Sequence, residues 1–348
     1  MYKPTISLII PAYNEESIIE HCMGEILRYV TSLKDKYDWE ILLINDGSKD
    51  KTGELADKLA KESDIIRVIH HPINKNLGCA MRTGFANAKG EYIITYDLDL
   101  SYSPDHIGSL ADTIISTQAD LVLASPYMKG GKVTDVPFLR IIMSKWANRF
   151  MNFASKKKVF TYSGMVRAYR SDFIKNLNLK STNYSINAEI IFKAQILRAR
   201  IVEIPAHLDW SFQNKIKKSR ISGIRIKDGI LDGLMSGFIF RPYYFFLLFG
   251  GVLFLLFLYM FVWMGINISE KYATIVKNTN YFDDRFSIAV AAVFQDRPHA
   301  FLIAGIVLII SIVFLGIGLL SLQNKRYFDE LFHINSTILK NSKNKDVC

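Results

Sequence analysis

Two aspartates, Asp97 and Asp99, stand directly after the apolar run at residues 92–96. If that run is a strand of a parallel sheet, both carboxylates lie beyond its carboxyl end, where open α/β sheets bind ligands. Two carboxylates at this spacing can approach one Mg²⁺ or Mn²⁺ ion, which in turn bridges to substrate phosphates. Aspartates are also common in the turn that ends a strand, so the pair alone leaves both interpretations open.

Further polar turns follow the other predicted strands. Residues 11–15 follow the first strand and residues 45–50 follow the second. Tyr13 can lie along a base or a ribose, Glu15 can accept from ribose hydroxyls, and Asp46 can accept from a base N–H. Each turn has an ordinary interpretation as turn chemistry or a helix N-cap. Several such turns at one edge of a sheet instead favour a nucleotide site.

The elements that position these turns can be predicted from apolar patterns. Continuous apolar runs predict buried strands, the first of which should end at Pro11, and helical spacing predicts the segments between them. Strands alternating with helices are typical of an α/β fold with a mostly parallel sheet covered on both sides. The predicted strands are residues 5–10, 39–44, 65–69, 92–96 and 121–124, and the predicted helices are 15–33, 50–62 and 78–88.

Two long uncharged runs follow this α/β region, and about 20 apolar residues suffice to cross a bilayer. They predict transmembrane helices at 242–266 and 300–322, joined by a loop at 267–299 whose charges balance. Arg241, Lys325 and Arg326 flank the spans, so the positive-inside bias predicts that domain 1–212 and tail 323–348 are cytoplasmic and that the loop is extracytoplasmic. The N-terminal sequence does not have the pattern of a signal peptide.

Residues 213–241 carry many lysines and arginines interleaved with isoleucine and leucine. This pattern predicts basic amphipathic helices at the membrane interface, although a solvated basic surface helix has a similar pattern. The net charge of +10 suits an anionic partner. Because the basic cluster adjoins a span and lacks stacking aromatics, membrane phosphate is favoured over nucleic acid. The spacing of the three cysteines argues against a disulfide framework and a structural zinc site.

Residues 5–15, 41–52 and 76–105 resemble the leading motifs of inverting glycosyltransferase family 2, which has the GT-A fold. With the two spans and the basic stretch, the chain resembles the polyisoprenyl-phosphate glycosyltransferases, the dolichol-phosphate mannose synthase and bactoprenol glucosyltransferase type. The resemblance implies that Asp97 and Asp99 bind the metal, with Asp99 the more direct ligand. It implies a nucleotide site formed by Pro11, Tyr13, Glu15, Asp46 and Asp97.

The resemblance also implies residues for a lipid-phosphate acceptor. Those that match or stand near the family's positions are Arg140, Ser144, Arg167 and Arg220. Glu189 matches an acidic position of the family. The chain departs from the pattern at Pro126, where an arginine is usual, and at Ser101, which replaces a glutamine that often completes the metal shell.

The implied activity is inverting transfer of a sugar from a UDP- or GDP-linked donor to undecaprenyl or dolichyl phosphate, with Mg²⁺ or Mn²⁺ and with Asp97, Asp99 and Arg140 as catalytic residues. The alternatives are a family 2 enzyme with a polysaccharide or other lipid acceptor, and a catalytically silent membrane adaptor or nucleotide sensor. A polysaccharide synthase motif fails at Ala199, where tryptophan would follow Gln195-Ile-Leu-Arg198. Two spans per chain could pack into a homo-oligomer. We expect a bacterial or archaeal cell membrane rather than the endoplasmic reticulum.

Overall fold

A computed structural model of the chain describes residues 2–153, 159–216, 242–276 and 284–345. The chain divides into two compact units, one comprising Met1–Gly237 with Leu331–Cys348 and the other Phe238–Glu330. Most of the predicted interfacial segment, residues 217–241 with Arg220, lies outside the described residues.

The first unit is built on a mixed sheet. Its strands are β1 (Thr5–Ala12), β2 (Asp38–Asn45), β3 (Ile66–His70), β4 (Tyr92–Thr95), β5 (Leu121–Ser125), β6 (Lys132–Thr134), β7 (Arg167–Arg170), β8 (Ile201–Pro205) and β9 (His207–Asp209). Within the described residues, seven strands form one sheet in the order β3-β2-β1-β4-β7-β5-β8, and β6 pairs with β9. Neighbouring strands of the large sheet run parallel except at β7, which is antiparallel to both β4 and β5.

Helices cover both faces of the sheet, as predicted. Ile6, Leu8 and Ile10 of β1 are fully buried in a cluster with apolar residues of the helices α1 (Ile19–Ser32) and α4 (Asp105–Thr117). The Ile9 side chain points to the opposite face and meets Gly84 of α3 (Leu77–Asn87). The mostly parallel α/β architecture expected from the sequence is therefore confirmed. The helices of this unit are α1 (Ile19–Ser32), α2 (Thr52–Glu62), α3 (Leu77–Asn87), α4 (Asp105–Thr117), α5 (Phe138–Phe153), α6 (Ser171–Lys175), α7 (Ile186–Ile196) and α8 (Ser211–Ile216).

The predicted end of the first strand at Pro11 is wrong, because β1 continues through Pro11 to Ala12. The carbonyl of Ile9 accepts from the Tyr96 backbone amide, so the backbone polar groups of Ile9 point towards β4. Those of Pro11, two residues later, point to the same side. The pairing of β1 with β4 ends at Ile9, while the pairing with β2 continues to Ala12. The missing N–H of Pro11 therefore interrupts no hydrogen bond of the sheet.

The second unit contains two long apolar helices, in agreement with the two predicted spans. Its described helices are α9 (Pro242–Thr274), α10 (Arg285–Asp296) and the part of α11 (Pro298–Lys345) up to Glu330. By length and composition, Pro242–Thr274 and Pro298–Asn335 could each cross a membrane. They pack closely at Gly250, whose carbonyl accepts from Ser311 Oγ at 2.9 Å and whose Cα faces Leu315. The segment 267–299, predicted as a loop, is partly helical, since it contains the end of α9 and all of α10.

Candidate active site

The carboxyl ends of β2, β1 and β4 lie side by side because these strands are parallel neighbours in the sheet. Every residue of the predicted nucleotide and metal sites is at or just beyond one of these three ends: Pro11, Tyr13, Glu15, Asp46, Asp97 and Asp99. The structure thus brings the predicted nucleotide and metal residues together at one edge.

Hydrogen bonds tie the loop after β1 to the loop after β2. The backbone amide of Asn14 donates to Ser48 Oγ at 3.0 Å, and the side-chain oxygen Oδ1 of Asn14 accepts from the backbone amide of Lys49 at 2.9 Å. The amide of Glu15 donates to Thr52 Oγ1 at 2.8 Å. Asn14 has a left-handed backbone with φ of 54°, which asparagine tolerates better than most residues. These bonds fix the half-buried side chains of Tyr13 and Glu15 beside the end of β2.

Asp46 is buried at 4% exposure and is held by a histidine that the sequence analysis missed. Asp46 Oδ1 lies 2.6 Å from His71 Nδ1 and accepts from the Lys75 amide at 3.0 Å. His71 Nε2 lies 2.9 Å from Thr83 Oγ1. An ionised Asp46 selects the tautomer in which Nδ1–H donates to the carboxylate and Nε2 accepts from the threonine hydroxyl. Both bonds to the carboxylate end on Oδ1.

The turn that follows β2 requires glycine at position 47. Gly47 has a φ of +65°, and a Cβ there would lie 2.2 Å from the carbonyl carbon of Ile73. The chain leading to Lys75 can therefore close over Asp46 only when residue 47 lacks a side chain.

Asp97 and Asp99 are half-buried in the turn that follows β4, with buried Leu98 between them. Asp99 Oδ1 accepts from the Ser101 amide at 3.1 Å, and the Gln213 side-chain amide donates to Asp99 Oδ2. Burial raises the pKa of nearby Tyr96, and the negative charges of the two aspartates raise it further. The turn therefore places two negatively charged side chains at the carboxyl end of β4.

The donor set of this turn fits a hard divalent cation. Two carboxylates and a neighbouring amide supply oxygen ligands, which Mg²⁺ and Mn²⁺ prefer. Among the described residues, no group of three or more histidine, cysteine and acidic side chains is arranged to hold a metal ion. A cation at Asp97 and Asp99 would thus complete its shell with neutral protein oxygens, water or substrate phosphate.

Helix α5 carries Arg140 and, one turn later, Ser144. The Arg140 guanidinium stacks 4.3 Å above the ring of Trp210, which follows β9, and it is within electrostatic reach of Asp99. A cation–π contact of this kind orients the guanidinium while leaving its donors available. Arg140 thus interacts electrostatically with Asp99, although the two residues are distant in the sequence.

Arg167 lies elsewhere, in the interior of the first unit. It is 1% exposed on β7, and its guanidinium donates to the carbonyls of Tyr162 at 2.7 Å and Asn187 at 2.8 Å. These bonds join the segment before β7 to α7. Its predicted contact with a lipid phosphate stays a prediction, and the structure gives Arg167 an internal bracing position.

Glu189 is also internal. At 4% exposure, it accepts from Lys193 Nζ at 2.6 Å and from the Ser181 amide at 2.8 Å. Burial opposes its ionisation, but these hydrogen bonds outweigh burial and hold the pKa of Glu189 below its usual range. Glu189 therefore fixes residues 180–182, whose backbone packs against Gly78 at the start of α3.

The family model for glycosyl transferase family 2 matches residues 7–177, which contain the β1, β2 and β4 ends described above. Residues 7–177 form a glycosyl transferase family 2 domain. The glycosyltransferase family predicted from the motifs is therefore confirmed for residues 7–177. The family 2 domain contains Asp46, Asp97, Asp99 and Arg140, whereas Trp210 and Gln213 lie beyond it.

Relatives of this chain include enzymes whose names refer to a polyprenol or dolichol phosphate. A polyprenol monophosphomannose synthase of Mycolicibacterium smegmatis is 28% identical over 64% of this chain and 83% of the relative. A dolichol-phosphate mannosyltransferase of Pyrococcus furiosus is 31% identical over 58% of this chain, and the match spans about half (55%) of the relative's length. The solved mannosyltransferase PcManGT of Pyrobaculum calidifontis, in complex with GDP-Man and Mn²⁺, is 15% identical with a TM-score of 0.47 over 97% of this chain and 87% of that one.

Three site residues escaped the sequence analysis: His71, Trp210 and Gln213. His71 directly follows β3, so its position at the carboxyl end of a strand next to β2 was a usable signal. Trp210 and Gln213 had no comparable signal, because tertiary contacts of the segment at β9, with β6 and with Ser101, bring them to the site.

Proposed function

We propose that this family 2 protein transfers a sugar, with inversion, from a UDP- or GDP-linked donor to a polyisoprenyl phosphate such as undecaprenyl or dolichyl phosphate. The observation that carries the proposal is the cluster of Asp46, Asp97 and Asp99 at one sheet edge, in a chain that also contains two helices apolar enough to span a membrane. The names of the mycobacterial and Pyrococcus relatives support the lipid-phosphate acceptor.

The donor nucleotide is proposed to bind along the ends of β2 and β1. Asp46 Oδ2 would accept from a base N–H while His71 and the Lys75 amide hold Oδ1. Tyr13 would lie along the base or ribose, and Glu15 would accept from ribose hydroxyls. Pro11, at the end of β1, would form the floor beneath the nucleotide.

Asp99 and Asp97 would hold Mg²⁺ or Mn²⁺ beside the donor diphosphate. When bound, such an ion neutralises the charge that develops on the departing nucleotide diphosphate. Ser101 is 4% exposed, and its amide steadies Asp99. The protein's part at this position would be to hold the two carboxylates beside the donor diphosphate.

The acceptor is proposed to approach along α5. This helix has lysine and arginine but no acidic residue, and its exposed Phe138, Ile142 and Trp146 recur every four residues. An apolar stripe beside cations is typical of a surface that contacts lipid headgroups. Arg140 and Ser144 on the same helix would bind the lipid phosphate, as the stacking of Arg140 on Trp210 leaves its N–H groups free to do. Arg167 would act on this region indirectly, by holding the carbonyl of Tyr162, and Arg220 is a further proposed cation.

The reaction needs no general base from the protein. The second pKa of a phosphate monoester is about 6, so the acceptor oxygen is largely ionised at neutral pH. This oxygen attacks the anomeric carbon and forms the new C–O bond. The bond from that carbon to the diphosphate oxygen breaks on the opposite side, and the nucleotide diphosphate leaves with the electron pair. The demand on the protein is to bring two anions together, which is a role for Arg140.

We further propose that both spans lie in a bacterial or archaeal cell membrane with the family 2 domain in the cytoplasm. Support comes from Arg241, Lys325 and Arg326 beside the spans, against the charge-balanced segment 267–299. Assembly into a homo-oligomer through the spans and a direct interaction of residues 213–241 with the membrane are part of the same proposal.

A transfer assay tests the proposal. Membranes containing the protein are incubated with a panel of radiolabelled nucleotide-sugars and with either polyprenyl phosphate or the matching polyprenol, with and without EDTA. We expect label to enter the organic phase with the phosphate only, from one class of nucleotide, and to be lost with EDTA. Label on the polyprenol alone, or transfer that survives EDTA, would contradict the proposal.

A further inference from the structure

Gln213 contacts one of the two proposed metal ligands. Its side-chain amide donates to Asp99 Oδ2, although the two residues are 114 positions apart. Gln213 is half-buried on α8, the short helix that follows β9. Asp99 Oδ1 accepts from the Ser101 backbone amide, so Ser101 and Gln213 bond to different oxygens of the same carboxylate.

The position of Gln213 is set by bonds on both sides of it. The Asp209 amide donates to the Ser101 carbonyl at 2.8 Å, which joins the start of this segment to the aspartate turn. The Asn214 side chain donates to the Asp135 carbonyl at 2.9 Å, and the Phe212 ring stacks 5.4 Å from the ring of His21. Gln213 therefore lies beside Asp99 because of a network that does not involve its own side chain.

The chemistry of an amide suits this position in two states. Its NH₂ group donates to a carboxylate, and a half-turn of the terminal torsion replaces that group with a carbonyl oxygen. The described residues near Asp97 and Asp99 supply no third acidic ligand. Gln213 is a neutral side chain in direct contact with Asp99, so its oxygen is well placed to bind a divalent cation held by the two aspartates.

We propose that Gln213 is a ligand of the divalent cation. Without a cation, its NH₂ group holds Asp99 in place. With a cation, its carbonyl oxygen coordinates the ion and displaces one water molecule. This inference rests on the proposed function, which supplies the reason for a cation at Asp97 and Asp99.

Mn²⁺ alone is the probe, with full-length protein in detergent. Electron paramagnetic resonance titration gives the Kd for Mn²⁺, and water-proton relaxation gives the number of water molecules on the bound ion. In Gln213→Ala we expect about a tenfold weaker Kd, a typical loss on removing a group that supports a metal site. We also expect one more bound water than in the wild type, with an unchanged melting temperature.

Asn214→Ala is the matched control, because Asn214 is the next residue of α8 and bonds to Asp135 rather than to Asp99. Its Mn²⁺ affinity and bound-water number should equal those of the wild type. Weaker binding in Gln213→Ala with an unchanged water number would reduce Gln213 to a group that merely steadies Asp99, and unchanged binding would remove it altogether. If the wild type binds Mn²⁺ with the predicted differences but transfers no sugar, the proposed function fails while the inference about Gln213 stands.

Discussion

Replacing Arg167 by methionine distinguishes an internal role for this residue from direct contact with a lipid phosphate. The side chain is 1% exposed, and its guanidinium bonds to the carbonyls of Tyr162 and Asn187. Methionine fills a similar volume but donates no hydrogen bond, so both buried carbonyls lose a partner. We therefore expect Arg167→Met to destabilise the first unit.

The expected magnitude follows from the two bonds. Hydrogen bonds to a charged group contribute about 1.5–3 kcal/mol each, so their loss costs about 3–6 kcal/mol. Relief from burying the charge, which lowers the pKa of Arg167, returns part of this cost. A net loss of about 3 kcal/mol lowers the melting temperature of a unit of this size by about 6–12 °C.

The assay is thermal unfolding of the full-length protein in detergent, followed by tryptophan fluorescence. Arg200→Met is the control, since Arg200 is exposed and the same substitution should leave the melting temperature unchanged. An Arg167→Met variant that melts like the wild type but has a raised KM for polyprenyl phosphate would refute the internal role and restore direct contact with the lipid phosphate.

Three further substitutions test other parts of the account. His71→Ala should weaken binding of the nucleotide diphosphate about tenfold by calorimetry, because Asp46 loses a hydrogen bond of about 1.5 kcal/mol, whereas exposed His70→Ala should not. Glu189→Gln should lower the melting temperature at pH 7. Because the folded-state pKa of Glu189 is depressed, its contribution is present above the unfolded-state pKa of about 4.3 and is lost as pH falls through the folded value, so the difference from wild type should close in acid and a constant difference would contradict the assignment. Trp146→Glu should raise the KM for polyprenyl phosphate about tenfold, from about 1.5 kcal/mol of lost apolar burial, and leave nucleotide affinity unchanged; an unchanged KM would exclude α5 from the lipid surface.

Much of the fold could be predicted because local patterns determine it. The apolar runs that form β1, β2 and β4 are buried on both faces, which is the pattern of central parallel strands. The antiparallel strand β7 could not be predicted in this way. Its sequence, Arg-Ala-Tyr-Arg, has no apolar run, and it enters the sheet through pairing with β4 and β5, which are distant in the chain.

The candidate site divides along the same line. Asp46, Asp97 and Asp99 could be predicted because a residue that follows a parallel strand must lie at the ligand-binding edge. The partners of these residues could not. Gln213 reaches Asp99 through contacts of β9 with β6 and with Ser101, and the internal position of Arg167 depends on the carbonyls of Asn187 in α7 and of Tyr162. A motif indicates which side chains face the cleft, but tertiary contacts decide what holds them.

The most direct test of the central claim is transfer by purified protein in nanodiscs, comparing the wild type with Asp99→Asn. With Mg²⁺, polyprenyl phosphate and the preferred nucleotide-sugar, the wild type should form a polyprenyl-phosphate sugar whose anomeric configuration is inverted relative to the donor. The asparagine variant should melt at the same temperature and lose activity at least about a hundredfold, because it lacks the charge that holds the cation. Near wild-type turnover by a folded Asp99→Asn protein would contradict the account.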